Sequence, residues 1–233
     1  MKLVLLLFTI FIQACVYTVK PIHYSNISTL IESINEHTHP ITSMKALASV
    51  SLDVNNRRAE FPEGIIMNNN ALRLETLNIF YQPVLIIIYN GSVAILDVNS
   101  GVCSISSEDA LHYYTQLHVP PDVFKKLITG QLIGTPITFS STGRNLIVSG
   151  KYERLAWFTT LNDALSVKST TIISDTEEPL VCDYDGHSIV AGAVLPEYIL
   201  CKWGENSLKI HYTKAQINIP VESSLMDIDR LCE

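Results

Sequence analysis

Residues 72–97 read "LRLETLNIFYQPVLIIIYNGSVAILD". Leu72, Leu74 and Thr76 alternate with Arg73, Glu75 and Leu77, the period of a strand with two unlike faces. "VLIIIY" is apolar on both faces. Asn90-Gly91 is the strongest hairpin signal in the chain, and "SVAILDV" answers it as a further strand. Between the first two runs the chain must turn, yet Ile79, Phe80 and Tyr81 are consecutive and apolar. Either one or two of them fold back onto the core, or they form an apolar tip that meets a membrane or an acyl chain. Each such side chain contributes about 1.5–3 kcal/mol when fully buried.

Upstream, Met44, Ala46, Ala48, Val50, Leu52 and Val54 alternate with polar residues such as Lys45, Ser49, Ser51 and Asp53. This predicts a strand with one wet face. Residues 57–67 and "VCSIS" complete a meander of about six strands. Before it, Ile27, Leu30, Ile31 and Ile34 share one helical stripe, with Thr29 and Glu32 as a possible capping box and Pro40 as the stop. After it come two helices. One carries Ala110, Leu111, Tyr114 and Leu117; the other carries Val123, Phe124, Leu127 and Ile128, with Pro121 near its start and Gly130 past its end. Residues 130–145 read as a Gly/Pro/Ser-rich loop. Strand signals then resume to the end. The expectation is α+β, one domain, with about ten or eleven antiparallel strands.

The chain has 233 residues, 47% hydrophobic and 17% charged, which suits a folded core. Net charge is −7 with only 16 Lys and Arg and no basic stripe, so nucleic acid is excluded as a partner. Attraction to anionic headgroups is weak, and membrane attachment must rest on apolar burial or a covalent anchor.

The first residues supply such an anchor. Lys2 is followed by the apolar run 3–12, too short to span a bilayer but of signal-peptide proportions. Ile12-Gln13-Ala14-Cys15 looks like a bacterial lipoprotein processing site. This implies a signal peptide over 1–14, a lipidated Cys15 with a tether over 15–25, and a folded domain over 26–233. Cys103, Cys182, Cys201 and Cys232 remain. Four cysteines allow three pairings. Cys182–Cys201 is the first choice, because both lie in a strand–turn–strand region; unpaired thiols are the alternative.

Reaction motifs and a metal-ligand pattern are lacking in the sequence, so neither an enzyme nor a cofactor is expected. His37 and His39 read as exposed polar residues at a helix end.

In order, these segments resemble the outer-membrane lipoprotein receptor LolB and LolB-like lipoproteins. "SMKALASVSL" is similar to the family's first strand, and residues 72–97 to its strand–loop–strand centre. "SEDALHYYTQLHVPPDVFKKLITGQLIG" is similar to its helix pair, and "VLPEYILCKWGENSLKIHYTKAQINIPV" to its closing strands. The resemblance implies an unclosed antiparallel half-barrel with a helical lid over an apolar cavity for lipoprotein acyl chains. It implies insertion into the outer membrane of lipoproteins received from a LolA-like periplasmic carrier. It assigns the membrane or acyl-chain loop to Ile79, Phe80 and Tyr81. Met44, Ala46, Leu74, Ile86, Ile88, Ile95, Leu111, Phe124, Leu127 and Trp157 are the residues expected to line the cavity. Val16 is not the Asp that retains enteric lipoproteins in the inner membrane, which favours the periplasmic face of the outer membrane. The alternative is a structural or scaffolding outer-membrane lipoprotein that keeps the fold without transfer.

Overall fold

The computed structural model describes residues 24–107, 110–142, 145–175 and 177–233. The expected signal segment, Cys15 and residues 16–23 of the tether lie outside the described residues.

Helix α1 (Ile27–His37) buries Leu30 and Ile34. Its N-cap is Asn26, whose side chain accepts from the Thr29 amide at 3.0 Å. Thr29 is therefore inside the first turn, and the Thr29/Glu32 capping box is corrected. The chain then runs through β1 (Met44–Val54), β2 (Arg57–Met67), β3 (Leu72–Leu77), β4 (Pro83–Tyr89), β5 (Val93–Asp97) and β6 (Val102–Ser106). Helices α2 (Ala110–Thr115) and α3 (Pro121–Thr129) follow. Next come β7 (Thr138–Thr142), β8 (Asn145–Tyr152), β9 (Leu155–Leu161), β10 (Val167–Ile173) and β11 (Leu180–Asp185). A small hairpin, β12 (Ser188–Val190) and β13 (Ala193–Leu195), precedes β14 (Tyr198–Trp203) and β15 (Asn206–Ile217). The 3-10 turn Ser223–Met226 and α4 (Ile228–Cys232) close the described chain.

Among the described residues, thirteen strands form one antiparallel sheet in the order β6-β5-β4-β3-β2-β1-β15-β14-β11-β10-β9-β8-β7. The first half is a meander, the second a meander interrupted by the β12–β13 hairpin between β11 and β14, and the halves join where β1 pairs with β15, Val50 opposite Ile210 and Leu52 opposite Leu208. The edges, β6 and β7, do not meet, so the sheet is an unclosed half-barrel. Helices α1, α2 and α3 cover its concave face. Leu30, Leu111, Phe124, Leu127 and Ile128 pack in the same core as Met44, Ile65, Leu74 and Trp157.

Three features depart from the sequence expectation. The loop expected over 130–145 contains β7, an edge strand whose Thr and Ser residues are mostly exposed and so carry no apolar alternation. "SLKIHYT" and "AQINIPV" are mostly one long strand, β15, with a bulge opposite Leu47/Ala48. The main sheet holds thirteen strands where about ten or eleven are expected.

The lid is fixed to the sheet by specific groups. Tyr212 donates its hydroxyl proton to the Ile128 carbonyl at 2.6 Å. The buried Lys125 ammonium donates to the Asn69 carbonyl and pairs with Asp122, both at 2.7 Å. Helix α3 ends at Gly130, whose φ of 63° is left-handed and which lies so close to Pro196 that a Cβ would sit 3.0 Å from its ring. Two disulfides staple the sheet. Cys182–Cys201 joins directly paired residues of β11 and β14, and Cys103–Cys232 ties α4 to β6.

Trp157 is fully buried and rests on Gly150, its cross-strand partner. A Cβ at Gly150 would lie 2.5 Å from the indole ring. Gly150→Ala is therefore expected to destabilise the domain by about 1–3 kcal/mol, the usual cost of overpacking. Urea denaturation of the variant against the parent checks this.

Candidate functional site

A cavity of about 270 Å³ lies between the N-terminal half of the sheet and the lid. Its position follows from strand parity. In the rows Val50–Phe61, Ala48–Glu63–Thr76–Leu85 and Ala46–Ile65–Leu74–Ile87, every side chain points to the concave face. Phe61, Ile65, Leu74, Leu85, Leu208 and Ile210 supply apolar walls, and Phe124 and Ile128 of α3 the roof. Among the described residues no Lys, Arg or His lines it.

Within these walls sits one polar cluster. Glu63 is 3% exposed. Thr76 donates its hydroxyl proton to Glu63 Oε2 at 2.9 Å, and Tyr114 of α2 donates to Oε1 at 3.3 Å and to Oε2 at 3.5 Å. Thr76 and Tyr114 also contact each other. Burial pushes the Glu63 carboxyl up to about 8, against the opposing pull of the two hydroxyls; the charge on Glu75 adds to the rise. Burial likewise raises the Tyr114 phenol, with the Glu63 charge adding to it. Near neutral pH the cluster is thus mostly uncharged, which is what an apolar enclosure requires.

The expected lining residues divide into three groups. Leu74 and Phe124 line the cavity. Met44, Leu111, Leu127 and Trp157 are buried in the common core beside it, and Ala46 and Ile95 are half-buried against that core. Ile86 and Ile88 are corrected. Strand β4 is apolar on both faces, and pairing of Leu74 with Ile87 turns Ile86 and Ile88 to the convex side. There they are buried, on the face where Arg73 donates to the Leu225 carbonyl at 3.0 Å and α4 packs over β5 and β6. Inside, Leu85 and Ile87 take the places expected of Ile86 and Ile88.

Sequence reading missed Glu63, Thr76 and Tyr114 as a unit. One signal was present: in β2, Phe61, Ile65 and Met67 share their face with Glu63, an acid inside an apolar row. Tyr114 comes from a helix on the far side of the chain, and linear spacing cannot join it to the other two.

The β3–β4 turn presents its apolar residues outward. Ile79, Phe80 and Tyr81 are 83%, 75% and 63% exposed. The Asn78 side chain accepts from the Phe80 and Gln82 amides at 2.8 and 3.1 Å, and Tyr81 adopts a left-handed φ of 61°. The turn is thus a framed structure that holds these side chains off the core. Val98 and Val102, in and after the adjacent β5–β6 turn, are also exposed at the same end of the sheet. From Leu85 in the cavity wall to Gln82 is three residues, about 10 Å along a strand.

A second, larger hollow of about 600 Å³ lies under α1 and residues 130–136. Asn35, Thr38, His39, Lys126 and Gln131 give it a mixed lining less suited to a hydrocarbon. Among the described residues no group of three or more His, Cys, Asp or Glu is placed to hold a metal ion. No helix among them is long and apolar enough to cross a membrane.

An open antiparallel sheet curled around an apolar cavity under a helical lid defines a LolA-like fold. Solved structures of that class superpose on it. A LolA superfamily protein from Nitrosomonas europaea matches with a TM-score of 0.58 at 10% identity, over 88% of this chain and 99% of that one. A domain named for outer membrane lipoprotein sorting, from Vibrio parahaemolyticus, gives 0.62 at 5% identity, over 89% and 100%. A DUF1329 family protein from Desulfovibrio piger gives 0.63 at 5% identity, over 88% and 96%. No protein-family model and no curated protein sequence matches the chain.

Proposed function

We propose that this protein is a lipid-anchored outer-membrane lipoprotein that binds acyl chains under its lid and takes part in lipoprotein localisation and insertion. The observation that carries the reading is the apolar, cation-free cavity between sheet and lid. An acyl chain gains about 0.8 kcal/mol for each methylene moved out of water. A bilayer offers the same gain, so transfer from cavity to membrane needs no cofactor and no energy source. The Ile12-Gln13-Ala14-Cys15 site supplies the anchor, which holds the domain at the periplasmic face of the outer membrane. The outward-facing Ile79, Phe80 and Tyr81 would touch that bilayer, about 10 Å from the cavity. The names of the structural neighbours support a role with lipoproteins, and a LolA-like periplasmic carrier is the corresponding donor.

At about 270 Å³ the cavity lies just below the usual range for ligand pockets, roughly 300–1,000 Å³, and accommodates part of a single chain. Accepting a lipoprotein with two or three chains requires the lid to move off the sheet. The same volume favours the second reading, a structural outer-membrane lipoprotein without transfer. Filling the cavity separates the two. Leu74→Trp is expected to weaken binding of a fluorescent acyl probe at least tenfold and to impair transfer of lipoprotein to outer-membrane vesicles. Unchanged probe binding and transfer with a filled cavity would overturn the role of the cavity, and a parent protein that neither binds the probe nor transfers lipoprotein leaves only the structural role.

A further inference from the structure

Glu63, Thr76 and Tyr114 stand out because nothing in a purely hydrocarbon-binding cavity calls for a carboxyl group. Thr76 and Tyr114 already hydrogen-bond to its two oxygens. Thr76 and Tyr114 also hydrogen-bond to each other, so a protonated Glu63 and the two hydroxyls have three O–H protons for three contacts; the Glu63–Tyr114 contact, at 3.3–3.5 Å, is the longest and the one that an incoming acceptor replaces most readily. The Glu63 proton sits at the wall of the cavity, among Val50, Phe61, Ile65 and Leu85.

We propose that this cluster reads the head of a bound chain: it accepts an acyl ester or amide, whose carbonyl oxygen takes the Glu63 proton in place of Tyr114, and rejects a free fatty-acid carboxylate. The inference rests on the acyl-chain reading and specifies which acyl compounds fit. A carbonyl is an acceptor without charge, matched to one donor held only by a long contact. A carboxylate brought to the same place would be a buried anion with no Lys, Arg or His among the described residues of the cavity lining to compensate it. Ester- and amide-linked chains are the form in which acyl groups occur on a lipidated polypeptide, whereas free fatty acids are not.

The selectivity depends on the protonation of Glu63. The groups facing it are few. From β3 come Thr76 and, on the opposite face of the strand, Glu75; from α2 comes Tyr114. Its partner on β1 is Ala48, and β15 and α3 present Leu208, Ile210, Phe124 and Ile128 to the cavity. None of these supplies a positive charge, and ionisation of Glu63 would remove the donor that the carbonyl needs.

Calorimetric titration of the mature chain with methyl decanoate, decanoate, decylamine and decane, at pH 6.5 and 9.5, tests this. At pH 6.5 the ester is expected to bind at least tenfold tighter than decanoate. At pH 9.5 its affinity should fall several-fold in the parent and stay unchanged in Glu63→Gln, whose amide donates a proton at every pH. Equal affinity for ester and carboxylate, or tightest binding of decylamine, overturns the proposal; the second result would make Glu63 a counter-ion. If decane binds and the ester shows no preference, only the reading of the head group fails. If no compound binds, the acyl-chain reading fails with it.

Discussion

Glu63→Gln is expected to remove a pH dependence of several kcal/mol from the stability of this domain. Burial raises the folded-state carboxyl from 4.5 to about 8. The folded state therefore holds this proton more tightly than the unfolded chain does. The associated stability is complete below about pH 4.5. It declines by about 1.4 kcal/mol per pH unit above that and is lost once pH passes about 8. Across the window the loss amounts to at most about 5 kcal/mol. Other groups titrate in the same range, so the informative quantity is the difference between parent and variant. Glutamine keeps an oxygen for Thr76 and Tyr114 and offers an uncharged donor, so the two proteins should be similarly stable at pH 5. At pH 9 the parent should have lost several kcal/mol relative to the variant. Urea midpoints for both proteins from pH 5 to 9 give the answer; parallel curves would mean that Glu63 is not protonated in the folded protein.

The second large effect concerns the β3–β4 turn. Replacing Ile79 and Phe80 with serine should weaken binding to neutral phosphatidylcholine vesicles about 100-fold when the lipid anchor is absent, as in a Cys15→Ser background. Each side chain contributes about 1.5–3 kcal/mol if fully transferred into the bilayer, and partial immersion of the pair reaches about 3 kcal/mol. Charge cannot replace this contribution, because the protein is acidic overall at −7. The substitutions should leave folding almost untouched, since both side chains are exposed and Asn78 maintains the turn through its own hydrogen bonds. Vesicle flotation measures the partition. Unchanged flotation would remove the turn from any membrane role.

Period and turn chemistry carried much of the fold. Alternation in β1 and the Asn90-Gly91 hairpin were readable because one face of each strand is wet and the turn needs particular residues. Strand β7 was hidden, since a mostly exposed edge strand has no reason to alternate. The faces of β4 were hidden for the opposite reason: with apolar residues on both sides, parity is undetermined until its partners are known. What covers the convex side, α4 and the Cys103–Cys232 bridge, lies 129 residues apart in the chain and leaves no local trace. The site was less legible than the fold. Leu74 and Phe124 were within reach of pattern reading, but the Glu63–Tyr114 contact joins a strand to a lid helix and exists only in three dimensions.

The pairing of β1 with β15 has a kinetic consequence. The strand made first waits for the strand made last, so its long central edge stays open while some 150 intervening residues are delivered. The strands β1 to β6 can pair among themselves before then, but the β1 edge stays unpaired, and an open edge invites pairing with other chains. Such a topology leaves a growing polypeptide unfinished until its last long strand is delivered. It also places a premium on escort proteins that shield the early strands until the far end arrives.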